Sequence, residues 1–365
     1  MQKIKICYTI SSLNKEGPVN VLLNIISNMN FSKFDIHIIT LNPEKQNSII
    51  NDFSKLSLTI HQLNLKEKCL FPPVIAYTKA IKKISPDIVH SHCLRSLMLN
   101  FIFSRDRSVH TVHIYPGIQT IKKKGFLLGS ILAFLNKLFT KAIKYPVACS
   151  KSIANMFSES DNFEMKYIQN GVNNEIIKNV QKNQLKLELG LDQGKTYFVT
   201  AGRFSPEKNF QFLIESFNKL NKQNVGLIIL GEGALFNELE NLKNDNIIFT
   251  GFVDDIKAYL NASDYYVSSS ITEGLPMSVL EALSVGLPLL LSNIPSHIEI
   301  LSKDNIGRAG YIYENNNPDS FFKSFDNLIS NDYSSTKTFC YLLYRNNFTS
   351  KIMSNKYEQF YLKII

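Results

Sequence analysis

Short apolar runs recur along the chain, each followed by a segment with apolar side chains on one helical face. An apolar run closed by turn residues predicts a buried strand, and a 3.6-residue repeat predicts a helix lying on it. In the first half the expected strands are Ile4–Tyr8, Ile36–Thr40, Asp87–His90, Val109–His113 and Pro146–Cys149. The second half offers Tyr197–Ala201, Gly226–Leu230, Ile247–Thr250, Asp264–Val267, Leu289–Leu291 and Gly310–Ile312. Between them, Phe210, Leu213, Ile214, Phe217 and Leu220 fall at helical spacing and predict one buried face. This is the rhythm of parallel β-α-β units, and it predicts an α/β fold.

At 365 residues the chain is long enough for two cores. The polar stretch Gln181–Lys195, with Gly190 and Gly194, reads as the passage between them, giving a first domain over 1–180 and a second over 181–340. The tail from Tyr341 to Ile365 is helical in pattern, and Tyr357, Phe360 and Tyr361 suit a return across the first domain. Ligands of open α/β sheets bind beyond the carboxyl ends of the strands. The expectation is two Rossmann-like, doubly wound parallel-sheet domains facing each other, with the site in the cleft between them.

Composition narrows the class. The five cysteines, Cys7, Cys69, Cys93, Cys149 and Cys340, are scattered and never form a close pair, which fits reduced thiols in the cytoplasm better than disulfides or a metal site. The stretch from Phe126 to Phe139 is apolar but interrupted, and too short to span a bilayer core of roughly 30 Å; a buried or interfacial helix is expected. Net charge is +9, unevenly spread: residues 1–180 hold 23 Lys+Arg against 11 Asp+Glu, the rest 17 against 20. A basic first half attracts nucleic acid, phosphorylated substrates or an anionic membrane, or is simply a solvated lysine-rich surface.

Two motifs carry chemistry. In "TAGRFSPEKNF", Thr200 to Phe210, a strand ends at Gly202, where a sharp turn is expected, and presents Arg203 and Lys208. Ser205-Pro206-Glu207 reads as a helix start. Two cations at that place suit a diphosphate; the plainer alternative pairs them with Glu207 and Glu215 on the surface. In "SITEGLPMSVLEA", Glu273 precedes a helix begun by Pro276, and Glu281 comes about two turns along. The first backbone N–H groups of that helix, on Met277, Ser278 and Val279, are placed to bind phosphate. The two carboxylates would bracket a ligand rather than sit together.

"GRFSPEKNF", "EGLPMSVLEAL" with its E-x7-E spacing, "VSSSITEG" and "VGLPLLLSNIPSHIEI" resemble the family 4 retaining glycosyltransferases of GT-B fold. "QNGV", Gln169 to Val172, and "PDIVHSH", Pro86 to His92, are similar to the first domain of that group. The resemblance implies that Arg203 and Lys208 hold a donor diphosphate, with Gly202 at the turn, and that Glu281 bonds the nucleotide ribose. It places Glu273 on the donor sugar, helped by backbone from Gly274 and Leu275 onward, and His113 near the reacting sugar. Gly17 matches a loop approaching the phosphates, although Pro18 replaces a glycine usual there and removes an N–H. Catalytic roles thus fall to His113, Glu273, Arg203 and Lys208.

The activity implied by the resemblance is that of a hexosyltransferase using a nucleoside diphosphate sugar, UDP favoured over GDP, with no metal and no other cofactor. Its implied acceptor is a glycan or a polyprenyl-diphosphate-linked sugar in bacterial surface polysaccharide assembly. With Lys122-Lys123-Lys124 ahead of the apolar segment, peripheral binding at the inner face of the cytoplasmic membrane is expected. The alternatives are a sugar phosphorylase or nucleotide-sugar epimerase on the same fold, or a basic nucleic-acid-binding protein, which has no supporting motif. His90 and His92 alternate at a strand end, so only one is expected to face a cleft; His110 reads as structural. His297 and Glu299 read as neighbours of the donor.

Overall fold

The structure, a computed structural model, describes residues 3–65, 74–117, 119–121, 125–174, 176–178, 180–220 and 222–365. Cys69 and the run Lys122–Lys124 lie outside the described residues. The chain folds as two compact units, one formed by Met1–Gly171 with Ser350–Ile365 and the other by Val172–Thr349.

The first unit holds a parallel sheet of β1 (Ile4–Ile10), β2 (Phe34–Thr40), β3 (Leu58–Gln62), β4 (Ile88–Ser91), β5 (Ser108–Val112), β6 (Tyr145–Ala148) and β7 (Lys166–Tyr167). Its strand order is β3-β2-β1-β4-β5-β6-β7. The second unit holds β8 (Thr196–Ala201), β9 (Val225–Leu230), β10 (Ile247–Gly251), β11 (Tyr265–Ser268), β12 (Leu289–Ser292) and β13 (Gly310–Tyr313). These order as β10-β9-β8-β11-β12-β13, again all parallel. Central strands such as β9 are buried along their whole length, as expected when helices cover both faces of a parallel sheet.

The helix Phe210–Leu220 buries Phe210, Leu213, Ile214 and Phe217 as its periodicity predicts, and Phe212 as well. It packs in an aromatic-rich core in which Phe198 stacks on Tyr265 and Phe325. The helix does not begin at Ser205-Pro206. Those residues enter a single 3-10 turn, Pro206–Lys208, and Asn209 with φ of 51° breaks the chain before Phe210. Asparagine tolerates that left-handed conformation better than most side chains.

The unit boundary also differs from the sequence expectation. The first unit closes at Gly171 and resumes at Ser350. The helix Tyr333–Asn347 stays with the second unit because it buries Thr336, Cys340 and Tyr344 there; the Cys340 thiol donates to the Ala309 carbonyl and the Tyr344 hydroxyl to that of Val172. The last helix, Ser350–Ile364, belongs to the first unit. Ser354 Oγ donates to the Ile25 carbonyl at 2.8 Å, and the Tyr361 hydroxyl meets both His90 Nδ1 at 2.6 Å and Tyr8 at 3.0 Å.

Candidate active site

Each sheet reverses its strand order at one place, between β1 and β4 in the first and between β8 and β11 in the second. Loops leaving those strands diverge to opposite faces and open a crevice at their carboxyl ends. In the second unit that point lies where β8 passes into Gly202–Lys208 and β11 into Ser269–Glu273. Both chemical motifs therefore arrive at the same edge.

There Lys208 Nζ lies 2.6 Å from Glu273 Oε1, an ion pair with each side chain less than one-fifth exposed. Ser270 Oγ donates to the same carboxylate oxygen at 2.8 Å, which leaves Oε2 as an acceptor. Ser269 Oγ donates to the Lys208 carbonyl at 2.8 Å, and the Ile271 N–H to that of Glu207 at 2.9 Å, so the two loops are laced together. Burial pushes the Lys208 pKa down and the Glu273 pKa up, but their mutual attraction more than offsets both: Lys208 ends above its ordinary value and Glu273 below. Surface pairing of Lys208 with Glu207 or Glu215 is thus replaced by a pair across the two loops. Gly202 takes no left-handed turn, and a Cβ there would lie 2.7 Å from Lys208 Cε, so a larger residue would displace the end of the Lys208 side chain.

The helix Met277–Ser284 comes immediately afterwards, with Pro276 as its flanking residue and no side-chain cap. Its first backbone bond runs from the Leu280 N–H to the Pro276 carbonyl, so the amides of Met277, Ser278 and Val279 precede the helical ladder. The Ser278 hydroxyl accepts from Tyr266 at 2.8 Å. Gly274 and Leu275 are buried in the turn between Glu273 and this helix, and Glu281 is half-buried on its second turn. Arg203 is exposed on the loop after β8.

Two glycines that carry no weight in the sequence reading shape this edge. Gly231, at φ of 133°, would bring a Cβ to 2.1 Å from the Gly202 carbonyl oxygen, and Gly233 one to 2.4 Å from that of Phe204. The Phe204 N–H donates to the Glu232 carbonyl at 2.8 Å. The "GEG" turn after β9 therefore presses directly on the loop bearing Arg203; glycine at both ends of a turn after a buried strand was the available signal.

In the first unit, His113 comes just after β5 and its Nε2 lies 2.9 Å from His92 Nδ1. Burial pushes the His113 pKa down to about 3 and that of His92 well below its ordinary value, so both rings are neutral at neutral pH. The expectation that only one of His90 and His92 can face one way fails because side chains two residues apart along an extended strand share a face; the two rings pack 4.4 Å apart and both are buried. His110 Nδ1 bonds the Ser91 carbonyl at 3.0 Å, a structural contact between β5 and β4. Gly17 begins the helix Gly17–Ile26 beside Pro18, exposed and with open space around the position of a Cβ.

The helix Phe126–Ala142 is not a fully buried one and leaves an apolar face exposed. Phe126, Leu127, Ile131 and Phe134 are all exposed.

Two doubly wound parallel sheets, with a cation–carboxylate pair just ahead of a helix N-terminus at one switch point, fit the architecture of GT-B type glycosyltransferases. Residues 181–339 match the family model "Glycosyl transferases group 1", and residues 16–176 match "Glycosyltransferase Family 4". The chain belongs to this family. The Escherichia coli UDP-Gal:alpha-D-GlcNAc-diphosphoundecaprenol alpha-1,3-galactosyltransferase is 32% identical over 273 residues, covering 69% of this chain and 68% of that protein. The O-antigen biosynthesis glycosyltransferase WclY of Escherichia coli is 24% identical and is covered to 98%, as is this chain. Among solved structures, HepE of Anabaena in complex with UDP and glucose superimposes with a TM-score of 0.80 at 15% identity, over 99% of this chain and 100% of that one. A glycosyltransferase from Rickettsia africae gives a TM-score of 0.79 at 18% identity over 100% and 99%. At those identities the likeness establishes the fold.

Proposed function

We propose that this glycosyltransferase moves a hexose from a UDP-sugar to a glycan or a polyprenyl-diphosphate-linked sugar, with retention at the anomeric carbon, in the assembly of a bacterial surface polysaccharide. The observation that carries the donor half is the Lys208–Glu273 pair at the β8/β11 switch point, immediately ahead of the Met277–Ser284 amides. In this reading Arg203, Lys208 and the amides of Met277, Ser278 and Val279 hold the diphosphate, and the glycines at 17 and 202 let backbone approach it. Glu281 bonds the ribose, while Glu273 Oε2 and the backbone of Gly274 and Leu275 meet the sugar.

Cleavage of the anomeric C–O bond leaves charge on the diphosphate and on an oxocarbenium-like sugar. Preorganised cations and amides stabilise that separation without a resident metal ion. The acceptor hydroxyl then bonds the anomeric carbon on the face the diphosphate leaves and passes its proton to the departing diphosphate oxygen, and the family resemblance assigns His113 to the reacting sugar. The pathway and the lipid-linked acceptor are supported by the diphosphoundecaprenol-linked acceptor of the galactosyltransferase relative and the O-antigen role of WclY. The exposed apolar helix Phe126–Ala142 supports peripheral attachment to the inner face of an anionic membrane.

Thermal melting with a panel of UDP- and GDP-sugars and free nucleotides tests the donor half, because a ligand that binds the folded chain raises its apparent stability. The reading expects one UDP-sugar to stabilise the parent and Arg203→Ala and Glu281→Ala each to abolish the shift. A GDP-sugar response corrects the base. No response to any donor, with acceptor lipid present, rejects the reading.

A further inference from the structure

His113 is the residue of the first unit that the proposed function puts at the reacting sugar, and its ring is held by another histidine. Its Nε2 lies 2.9 Å from His92 Nδ1. Its other ring nitrogen, Nδ1, has no hydrogen-bond partner among the described residues and is not one of the atoms closed off from solvent; His113 as a whole is part-exposed. His92 is only 3% exposed, and its own second nitrogen, Nε2, is buried without a partner. The pair therefore has an open end at His113 Nδ1 and a closed end at His92 Nε2.

The closed end decides where the protons are. Burial keeps both rings neutral at neutral pH, so each carries one proton and a single hydrogen lies between them. If His113 Nε2 donates, His92 must carry its proton on Nε2, where a buried N–H meets no acceptor. If His92 Nδ1 donates, His92 Nε2 is a bare acceptor and His113 carries its proton on Nδ1, at the open end. An orphaned buried N–H is the rarer of these two defects, which favours the second arrangement. His92 is also backed on its other side. The His90 ring packs 4.4 Å from it, with Nδ1 on the Tyr361 hydroxyl at 2.6 Å and Nε2 on the Thr111 hydroxyl at 2.8 Å, so His92 rests against a ring anchored at both nitrogens.

We propose that His92 is a positioning residue for sugar transfer: its Nδ1–H fixes His113 as the Nδ1–H tautomer and leaves that hydrogen-bond donor at the open end for an oxygen of the reacting sugar. This rests on the placement of His113 in the reading above. It makes His113 a fixed donor and excludes it as the base for the acceptor proton, because its one bare nitrogen is occupied by His92.

Long-range proton–nitrogen correlation spectra of the full chain, labelled at histidine, read the tautomer directly, with His113 assigned by its loss in His113→Gln. A protonated Nδ1 and a bare Nε2 on His113 are expected; a protonated Nε2 overturns the inference. Nucleotide release is then followed with whichever UDP- or GDP-hexose stabilises the chain, with and without undecaprenyl-diphosphate-linked N-acetylglucosamine, the acceptor type of the galactosyltransferase relative. His92→Leu is expected to lower kcat about tenfold, as for one lost hydrogen bond, and to change the donor KM less than about twofold. His92→Asn, whose amide nitrogen takes the place of Nδ1, is expected to recover most of the loss and to keep the tautomer. A purely structural role would lower the melting temperature of both variants and leave kcat and the His113 signals of the folded protein unchanged, which overturns the inference. If His92→Leu does not fold, a tenfold or greater loss of kcat in His92→Asn overturns it. A His113→Gln variant as fast as the parent overturns it while the donor site stands, whereas a parent that releases nucleotide from no donor overturns the proposed function and this role of His113 with it.

Discussion

The Lys208 ammonium lies 2.6 Å from the Glu273 carboxylate, tying the loop after β8 to the loop after β11 at the place where the second sheet reverses its strand order. The pair is both a structural link and the centre of the proposed donor site. Those two roles give different signatures when the pair is broken.

Removing either partner leaves the other charge poorly solvated, so Lys208→Met and Glu273→Gln are each expected to cost about 2–4 kcal/mol of stability, less than a fully buried pair because some solvent reaches both groups. The double substitution should cost less than the sum of the two. Glu273, with its pKa held below 4.5, contributes stability that is present above that value and lost as pH falls through the depressed one. Lys208, raised above 10.5, contributes stability that is present below 10.5 and lost as pH rises through the raised value. Urea unfolding of the four proteins at neutral pH, extended below pH 4.5 and above pH 10.5, is the measurement; strictly additive losses would falsify the coupling.

Acid sensitivity should begin earlier than these carboxylates alone would give. Burial holds His90 and His92 well below their ordinary 6.5 and His110 and His297 at about 4, so the folded chain keeps them neutral while the unfolded chain protonates them. Stability is therefore full above pH 6.5 and falls as pH drops toward the folded values, by up to about 1.4 kcal/mol per pH unit for each histidine. Three of the four lie in the first unit, so its unfolding should lead. Hydrogen exchange at pH 5 and pH 7.5 resolves the two units, and equal protection of β4 and β5 at both values would rule this out.

The glycines around the site separate into two kinds. An alanine at 231 or 233 drives a Cβ into backbone oxygen at 2.1 Å or 2.4 Å, and backbone cannot give way without moving the Arg203 loop. Gly231→Ala and Gly233→Ala are expected to cost at least about 2 kcal/mol each and to abolish stabilisation by donor. Gly17→Ala meets nothing within 4 Å, so its stability should change by less than about 0.5 kcal/mol. Loss of donor response in Gly17→Ala without loss of stability would mark that loop as a phosphate contact; melting curves with and without nucleotide sugar read both effects.

The same contrast explains which features are legible in the sequence. Strands such as β9, "VGLIIL", are covered on both faces and read as unbroken apolar runs, so they stand out. β3 alternates at the sheet edge, and β7 is the two exposed residues Lys166–Tyr167; neither leaves such a run. Lys208 and Glu273 are recognisable from their motifs, but their pairing is not, because it depends on β8 and β11 becoming neighbours across two intervening strands. The need for glycine at 231 and 233 likewise comes from a loop distant in sequence pressing on them. His297 can be placed near the site from its motif, yet its burial against Ser292 emerges only from the fold.

Attachment to a membrane should depend on one helix face. No helix among the described residues is long and apolar enough to cross a bilayer. The helix Phe126–Ala142 nevertheless exposes Phe126 to 76%, Leu127 to 78% and Phe134 to 64% of their free surface. Burying three large apolar side chains at an interface is worth several kcal/mol, and the Lys122–Lys124 run just before the helix adds attraction to acidic headgroups. Flotation with vesicles rich in anionic lipid should carry the parent protein, and raising the salt should weaken it as screening removes the charge contribution. A Phe126→Ser, Leu127→Ser, Phe134→Ser variant should float more than tenfold less while keeping its melting temperature and its response to donor. Equal flotation of the variant would move the contact elsewhere on the first unit, and a parent that stays free of anionic vesicles would remove the membrane from the proposed mechanism.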